Sequence, residues 1–124
     1  MNRTDVERLL SEGHAPSLNG RDLRGVNLSG LRLRDAGLAY AELAAANLSR
    51  CDLRGATLFA AKMRGARLTG ADLTDANLTA ADLAGADLTG AVLTGTTLQG
   101  TNLTGALVGS IDLLVRRGAI VQGG

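Results

Sequence analysis

The hydrophobic positions of this chain repeat every five residues. The clearest stretch is residues 71–90, ADLTDANLTAADLAGADLTG, where a leucine stands at the centre of each unit, with a polar residue before it and, except at Ala84, a polar residue after it. The same position is apolar from Leu18 to Leu113, with no insertion or deletion. We number the positions of a unit −2, −1, 0, +1 and +2, with the central apolar residue at 0.

A period of five fits neither an ordinary helix nor an ordinary strand. On a helix, leucines five residues apart rotate around every face. In a strand, an odd spacing sends successive leucines to opposite faces. The chain must therefore turn a corner within each unit, so that every leucine points to the inside of a coil. This predicts a solenoid.

The residues around each leucine support this interpretation. Position −2 is mostly alanine, as at Ala71 and Ala76, which predicts a second inward position where space is short. Position +2 is most often glycine, as at Gly85 and Gly90, which suits a corner that needs a positive φ.

These units resemble the pentapeptide-repeat family, whose motif is A-(D/N)-L-x-x, and the resemblance covers residues 16–115. It implies an all-β solenoid, a right-handed quadrilateral β-helix with four units per coil and about five coils. With this coil, units twenty residues apart stack on one side of the rod.

The segments before and after the repeats are predicted to cover the open ends of the solenoid. Residues 1–15 are a capping helix and linker, with Thr4 as N-cap and Glu7 completing a capping box. Residues 116–124 are a C-terminal capping tail, whose apolar part either folds back over the end or pairs with another molecule.

Composition favours one domain that is held by stacked leucines. The 124 residues contain one tyrosine, one phenylalanine and one cysteine, so an intramolecular disulfide is excluded. The net charge of +1 hides an axial polarity, because residues 21–67 are basic and residues 68–115 are acidic. Without a signal-like or transmembrane-length apolar run, we expect a cytoplasmic protein.

The sequence shows no catalytic constellation. Cys51 occupies an inward position and His14, the only histidine, lies in the linker, so no nucleophile and base can be paired. Asp52, Asp72 and Asp112 form one column that Val92 interrupts, which does not make a cation site. We expect no enzymatic activity, no cofactor, no metal and no small-molecule substrate.

One side of the predicted coil carries no charged residue. This side is built on Leu18, Leu38, Leu58, Leu78 and Leu98. It holds both aromatic residues, Tyr40 and Phe59, with Ala39 and Ala60 beside them. These four residues are the predicted partner interface, for another protein or a second copy.

An alternative function comes from the resemblance. Some pentapeptide-repeat proteins mimic duplex DNA, dimerise through their C-terminal ends and bind type II topoisomerases such as gyrase. Here the acids that could imitate phosphates are Asp72, Asp75, Asp82 and Asp87. The chain departs from that picture because it is short, begins with a basic half and lacks a long C-terminal helix.

The sequence therefore predicts a non-enzymatic protein-interaction or structural scaffold, whose partner it does not identify. A DNA-mimicking modulator of a topoisomerase is the alternative, and homodimerisation through the C-terminal end is left open. Direct binding of nucleic acid is disfavoured because stacking aromatics are almost absent. No membrane association is expected.

Overall fold

The fold is a four-sided β-helix whose coil takes twenty residues. The computed structural model describes residues 1–109 and 118–120. Its described residues contain one helix, α1 (Arg3–Leu10), followed by coils in which each position −1 residue from Ser17 to Asp87 forms a parallel β-bridge with the residue twenty positions on. One side is bridged in the order Ser17, Gly37, Thr57, Asn77 and Thr97. We number the four sides from this one, in chain order.

Backbone hydrogen bonds join each coil to the next. The N–H of Leu38 donates to Thr57 O at 2.7 Å, and the N–H of Thr57 donates back to Ala36 O at 3.0 Å. Within a unit, the N–H of Ala41 donates to Leu38 O at 3.1 Å and closes the corner. Because this pattern recurs along the rod, the coils form parallel ladders without any longer strand among the described residues.

The interior consists of stacked leucines and alanines, as predicted. Position 0 is fully buried from Leu18 to Leu83, and the alanines at position −2 from Ala36 to Ala86 are equally buried. Each buried leucine contributes about 2 kcal/mol of apolar transfer free energy. The column can therefore hold the rod together without aromatic residues.

Polar residues at the inward position −2 are satisfied by the preceding coil. Thr96 and Thr101 are buried, and their hydroxyls donate to Leu73 O at 2.7 Å and Leu78 O at 2.6 Å. Among the described residues, every buried side-chain nitrogen or oxygen has a hydrogen-bond partner. A hydroxyl is tolerated inside because a carbonyl of the neighbouring coil lies within reach.

The N-terminal helix is present, but the prediction of Thr4 as its N-cap is wrong. Asn2 is the N-cap, and its side chain and that of Asp5 form the capping box. Asparagine is at least as good an N-cap as threonine. The earlier start also places Arg3 in the helix, where its guanidinium donates to Ser29 O at 2.9 Å. Val6 is fully buried in the same apolar cluster as the leucines.

The described residues of the tail, 118–120, return to the coils through one β-bridge. Ile120 pairs in parallel with Asn102, and the N–H of Leu103 donates to Ile120 O at 2.6 Å. This bridge spans eighteen residues, two fewer than in the regular coils. Ala119 and Ile120 thus fold back onto their own chain, whereas Val121 lies outside the described residues.

Position +2 has left-handed backbone from Gly20 to Gly105. The energetic preference for glycine at this corner can therefore be tested in two neighbouring units, one with glycine and one with alanine. We expect Gly85→Ala to lower the free energy of unfolding by about 1 kcal/mol, because φ is 69° there and the added methyl meets open space. Ala80 has φ of 61°, so Ala80→Gly is expected to be neutral or stabilising. Urea denaturation of both variants checks this, and effects of the same sign would contradict it.

Candidate interaction surfaces

The first side of the rod carries an aromatic pair on an uncharged surface. The rings of Tyr40 and Phe59 meet edge to face, with centroids 5.6 Å apart and planes at 74°. Tyr40 is 60% exposed and Phe59 is half-buried. The N–H of Tyr40 donates to Phe59 O at 2.9 Å, so the coil-to-coil ladder fixes the two residues relative to each other.

The corner that carries Tyr40 is conformationally costly. Tyr40 has φ of 60° and Ala60 has φ of 54°, whereas glycine fills the same corner at Gly20 and Gly100. A side chain in left-handed backbone costs about 1–2 kcal/mol relative to the right-handed region. The rod therefore presents an exposed aromatic ring where glycine would be less strained. Ala39 and Ala60, the other predicted interface residues, are both half-buried.

Side chains at position −1 have a structural role that the sequence reasoning missed. The carboxylates of Asp72, Asp82 and Asp87 accept the backbone N–H two residues on, at 3.0, 3.1 and 2.9 Å. Asn47 and Asn77 do the same at 3.0 Å. The corner leaves this N–H without a backbone acceptor, so an aspartate or asparagine completes the unit. The recurrence of aspartate and asparagine at position −1 was the available signal.

Arginines at position +1 bind aspartates at position −1 of the next coil, eighteen residues on. Arg64 Nε lies 2.6 Å from Asp82 Oδ2, and Arg54 Nε lies 3.5 Å from Asp72 Oδ2. Arg34 makes the equivalent contact with Asp52. The pairs of Arg54 and Arg64 cross the boundary between the basic and acidic halves, so part of the axial polarity is neutralised within the rod.

The structure does not gather the four predicted phosphate-mimicking acids on one surface. Asp82 lies on the second side, Asp87 on the third and Asp72 on the fourth, while Asp75 stands at the corner after Asp72. Hydrogen bonds from Thr74 lower the pKa of Asp72, and those from Thr89 lower the pKa of Asp87. The carboxylates of Asp72 and Asp87 therefore stay ionised to lower pH. The four acids are nevertheless distributed over different sides of the rod.

Cys51 and His14 are not brought together. Cys51 is 1% exposed and its thiol donates to Leu28 O at 2.9 Å, whereas His14 is exposed and its Nε2 lies 3.4 Å from Glu12 Oε2. Over residues 1–109 and 118–120, no group of histidine, cysteine and acidic side chains could hold a metal ion. Within the same residues, no helix is long and apolar enough to cross a membrane.

Comparison with known proteins identifies the repeats. The family model described as pentapeptide repeats (8 copies) matches residues 17–50, 38–75 and 71–107. A comparison with curated protein sequences gives no significant match.

Two solved structures show the same fold. HetL, a pentapeptide repeat protein involved in heterocyst differentiation regulation from the cyanobacterium Nostoc sp. strain PCC 7120, is 31% identical with a TM-score of 0.74. The match covers 86% of this chain and 53% of HetL. A trypsin-treated variant of QnrB1, a plasmid-mediated fluoroquinolone resistance protein, is 20% identical with a TM-score of 0.54, over 86% of this chain and 58% of its own. This chain thus spans little more than half of either protein.

The structural role of position −1 can be separated from its charge at Asp82. We expect Asp82→Ala to lower the free energy of unfolding by about 1–2 kcal/mol, because the N–H of Ala84 and the guanidinium of Arg64 both lose their acceptor. Asp82→Asn keeps the corner acceptor and should cost clearly less. Arg64→Ala, which removes only an exposed ion pair, should cost under about 1 kcal/mol. Denaturant titration measures all three, and equal losses for Ala and Asn would contradict the corner role.

Cys51 should make stability fall at alkaline pH. Burial raises the pKa of its thiol from 9.0 to about 11, so the folded chain holds this proton after the unfolded chain has lost it. Its contribution is complete below pH 9 and falls by about 1.4 kcal/mol per pH unit up to pH 11. The difference in unfolding free energy between the native chain and Cys51→Ala isolates this effect from other groups. A difference that does not change with pH would contradict it.

Proposed function

The chain belongs to the pentapeptide-repeat family, and from that premise we propose that it is a non-enzymatic scaffold that binds a protein partner. The rod is a right-handed quadrilateral β-helix of about five coils. Residues 1–15 are its N-terminal cap, and of the proposed C-terminal capping tail, 116–124, the structure describes residues 118–120. The buried contacts of Val6 and the bridge of Ile120 support these two caps.

The observation that carries the proposal is the edge-to-face pair of Tyr40 and Phe59 on the uncharged first side. A partner that docks there displaces water from apolar and aromatic surface without desolvating a charge. The ladder already holds both residues in place, so little conformational entropy is lost on binding. Tyr40, Phe59, Ala39 and Ala60 are the proposed interface.

Likeness to HetL supports a regulatory or scaffolding class of function, because that protein is described as involved in the regulation of differentiation. Its role remains a property of the longer protein, of which this chain spans about half. We place the protein in the cytoplasm, which suits a free, buried thiol at Cys51. Homodimerisation through the C-terminal end remains a prediction.

DNA mimicry of a type II topoisomerase substrate is the weaker alternative. A mimic needs a continuous row of unpaired negative charge, whereas here the four acids lie on three sides of the rod. Arg54 and Arg64 also bind two of them, Asp72 and Asp82. The likeness to QnrB1, at 20% identity, concerns the fold alone.

The interface is tested by charging the aromatic pair. We expect the double variant Tyr40→Asp, Phe59→Asp to keep its fold and to lose a partner that the unmodified chain captures from host lysate, because two carboxylates would have to be desolvated in the interface. Affinity capture followed by mass spectrometry identifies the partner, and circular dichroism verifies the fold. A topoisomerase among the captured proteins would instead favour the alternative function.

A matched control places the same two charges elsewhere. Ala44 and Ala84 are half-buried at position +1 of the second side, so Ala44→Asp, Ala84→Asp adds equal charge away from the aromatic pair. This variant should capture the partner as the unmodified chain does. If both double variants lose the partner, or neither does, the first side is not the interface.

A further inference from the structure

An open groove on the third side, opposite the aromatic pair, contains two arginines. Its lining includes Ser49, Arg50, Arg67 and Thr69, and it ends at Asp87. The groove also includes Ser29 and therefore spans four neighbouring coils, because Asn27, Asn47, Arg67 and Asp87 follow one another in the bridge order of this side.

Arg50 and Arg67, like Arg21 and Arg32, differ from the other solenoid arginines in having no ion pair with the described residues. Arg24, Arg34, Arg54 and Arg64 each form an ion pair with an aspartate. Asp87 lines the same groove, and hydrogen bonds from Thr89 and the charge of Arg67 lower the pKa of its carboxyl, but this carboxylate forms no ion pair with either arginine. The groove therefore holds an excess of positive charge.

Arg50 lies at the corner that follows the third side, where the neighbouring coils have glycine. It has φ of 58°, and the same corner of the coils around it holds Gly30, Gly70 and Gly90. A methyl group added to Gly70 would lie 3.6 Å from Arg50 Cγ, so the arginine stem crosses that bare corner toward the coil of Arg67 and Thr69. Packing does not require an arginine here, since glycine would relieve the backbone strain.

We propose that this groove binds a phosphoryl group through Arg50 and Arg67. A phosphoryl group has oxygens in several directions, so two guanidinium groups can donate hydrogen bonds to it together. A carboxylate has only two oxygens, which pair with the two N–H donors of one guanidinium group. Ser49 lines the same groove, and its hydroxyl adds a neutral donor. The site is separate from the aromatic pair and is independent of the proposed partner interface.

The site is tested by titrating the arginine Nε–Hε signals of the intact chain by NMR at low salt. Inorganic phosphate and the tripeptide Gly-phosphoserine-Gly are the probes, and Gly-Ser-Gly is the blank. We expect saturable shifts at Arg50 and Arg67. Tighter binding of the phosphorylated tripeptide would identify a phosphorylated protein segment as the source, and equal binding would identify free phosphate.

Three variants separate binding from folding. Arg50→Gly should weaken binding by about tenfold while leaving the melting temperature equal or higher, because glycine suits this corner. Arg67→Gln should weaken it similarly. Arg21→Ala removes an exposed arginine that has no ion pair with the described residues and lies outside the groove, and it should change affinity less than about twofold.

Two results would overturn the proposal. One is a shift of all arginine signals, including Arg21, that grows without saturation, which indicates general screening. The other is binding by Arg50→Gly and Arg67→Gln that equals binding by the unmodified chain.

Discussion

The narrow interior of the coil is the constraint on which the rest of the structure depends. Each side contributes one leucine and one small residue to the inside, and the side chains of one coil stack on those twenty residues away. Between Ala36 and Ala86, a larger residue at position −2 would crowd the neighbouring coils, whereas near the N-terminal end Leu31 is buried at this position with its ladder intact. The period of five, the tight corners and the regular spacing of the rod all follow from keeping this interior full.

Because positions 0 and −2 fill the interior, positions −1, +1 and +2 present side chains at the surface. At position −1, an aspartate or asparagine completes the backbone hydrogen bonding of its own corner, and an aspartate can also bind an arginine of the preceding coil. Acidity in this family motif is therefore partly a folding requirement. Charge alone is a poor guide to function on such a rod, and residues that break the local rule are more informative.

Tyr40 and Arg50 are two such residues. Each occupies a left-handed corner where glycine would cost less, and each lies on a surface with a distinct chemistry. Tyr40 stands beside Phe59 on an uncharged side, and Arg50 shares a groove with Arg67. Strain that the fold does not need is a reason to look for a ligand or a partner.

The repeat made the interior predictable from sequence, because one rule about spacing identifies the buried central residues from Leu18 to Leu88. The uncharged side followed once twenty residues were assigned to a coil. The ion pairs were not predicted, since Arg64 meets Asp82 only through the stacking of two coils and the path of a long side chain. The helix start was missed because Asn2 with Asp5 and Thr4 with Glu7 both fit a capping box, and only contacts such as that of Arg3 with Ser29 choose between them.

Site-specific photocrosslinking in host cells would test the proposed interface most directly. A benzophenone amino acid would replace Tyr40 on the uncharged side and, in a second chain, Arg64 on a charged side. The account predicts a discrete crosslinked protein from position 40 and none from position 64. Crosslinking to the same protein from position 64 alone, or from neither position, would contradict the claim that this rod binds its partner through the aromatic pair.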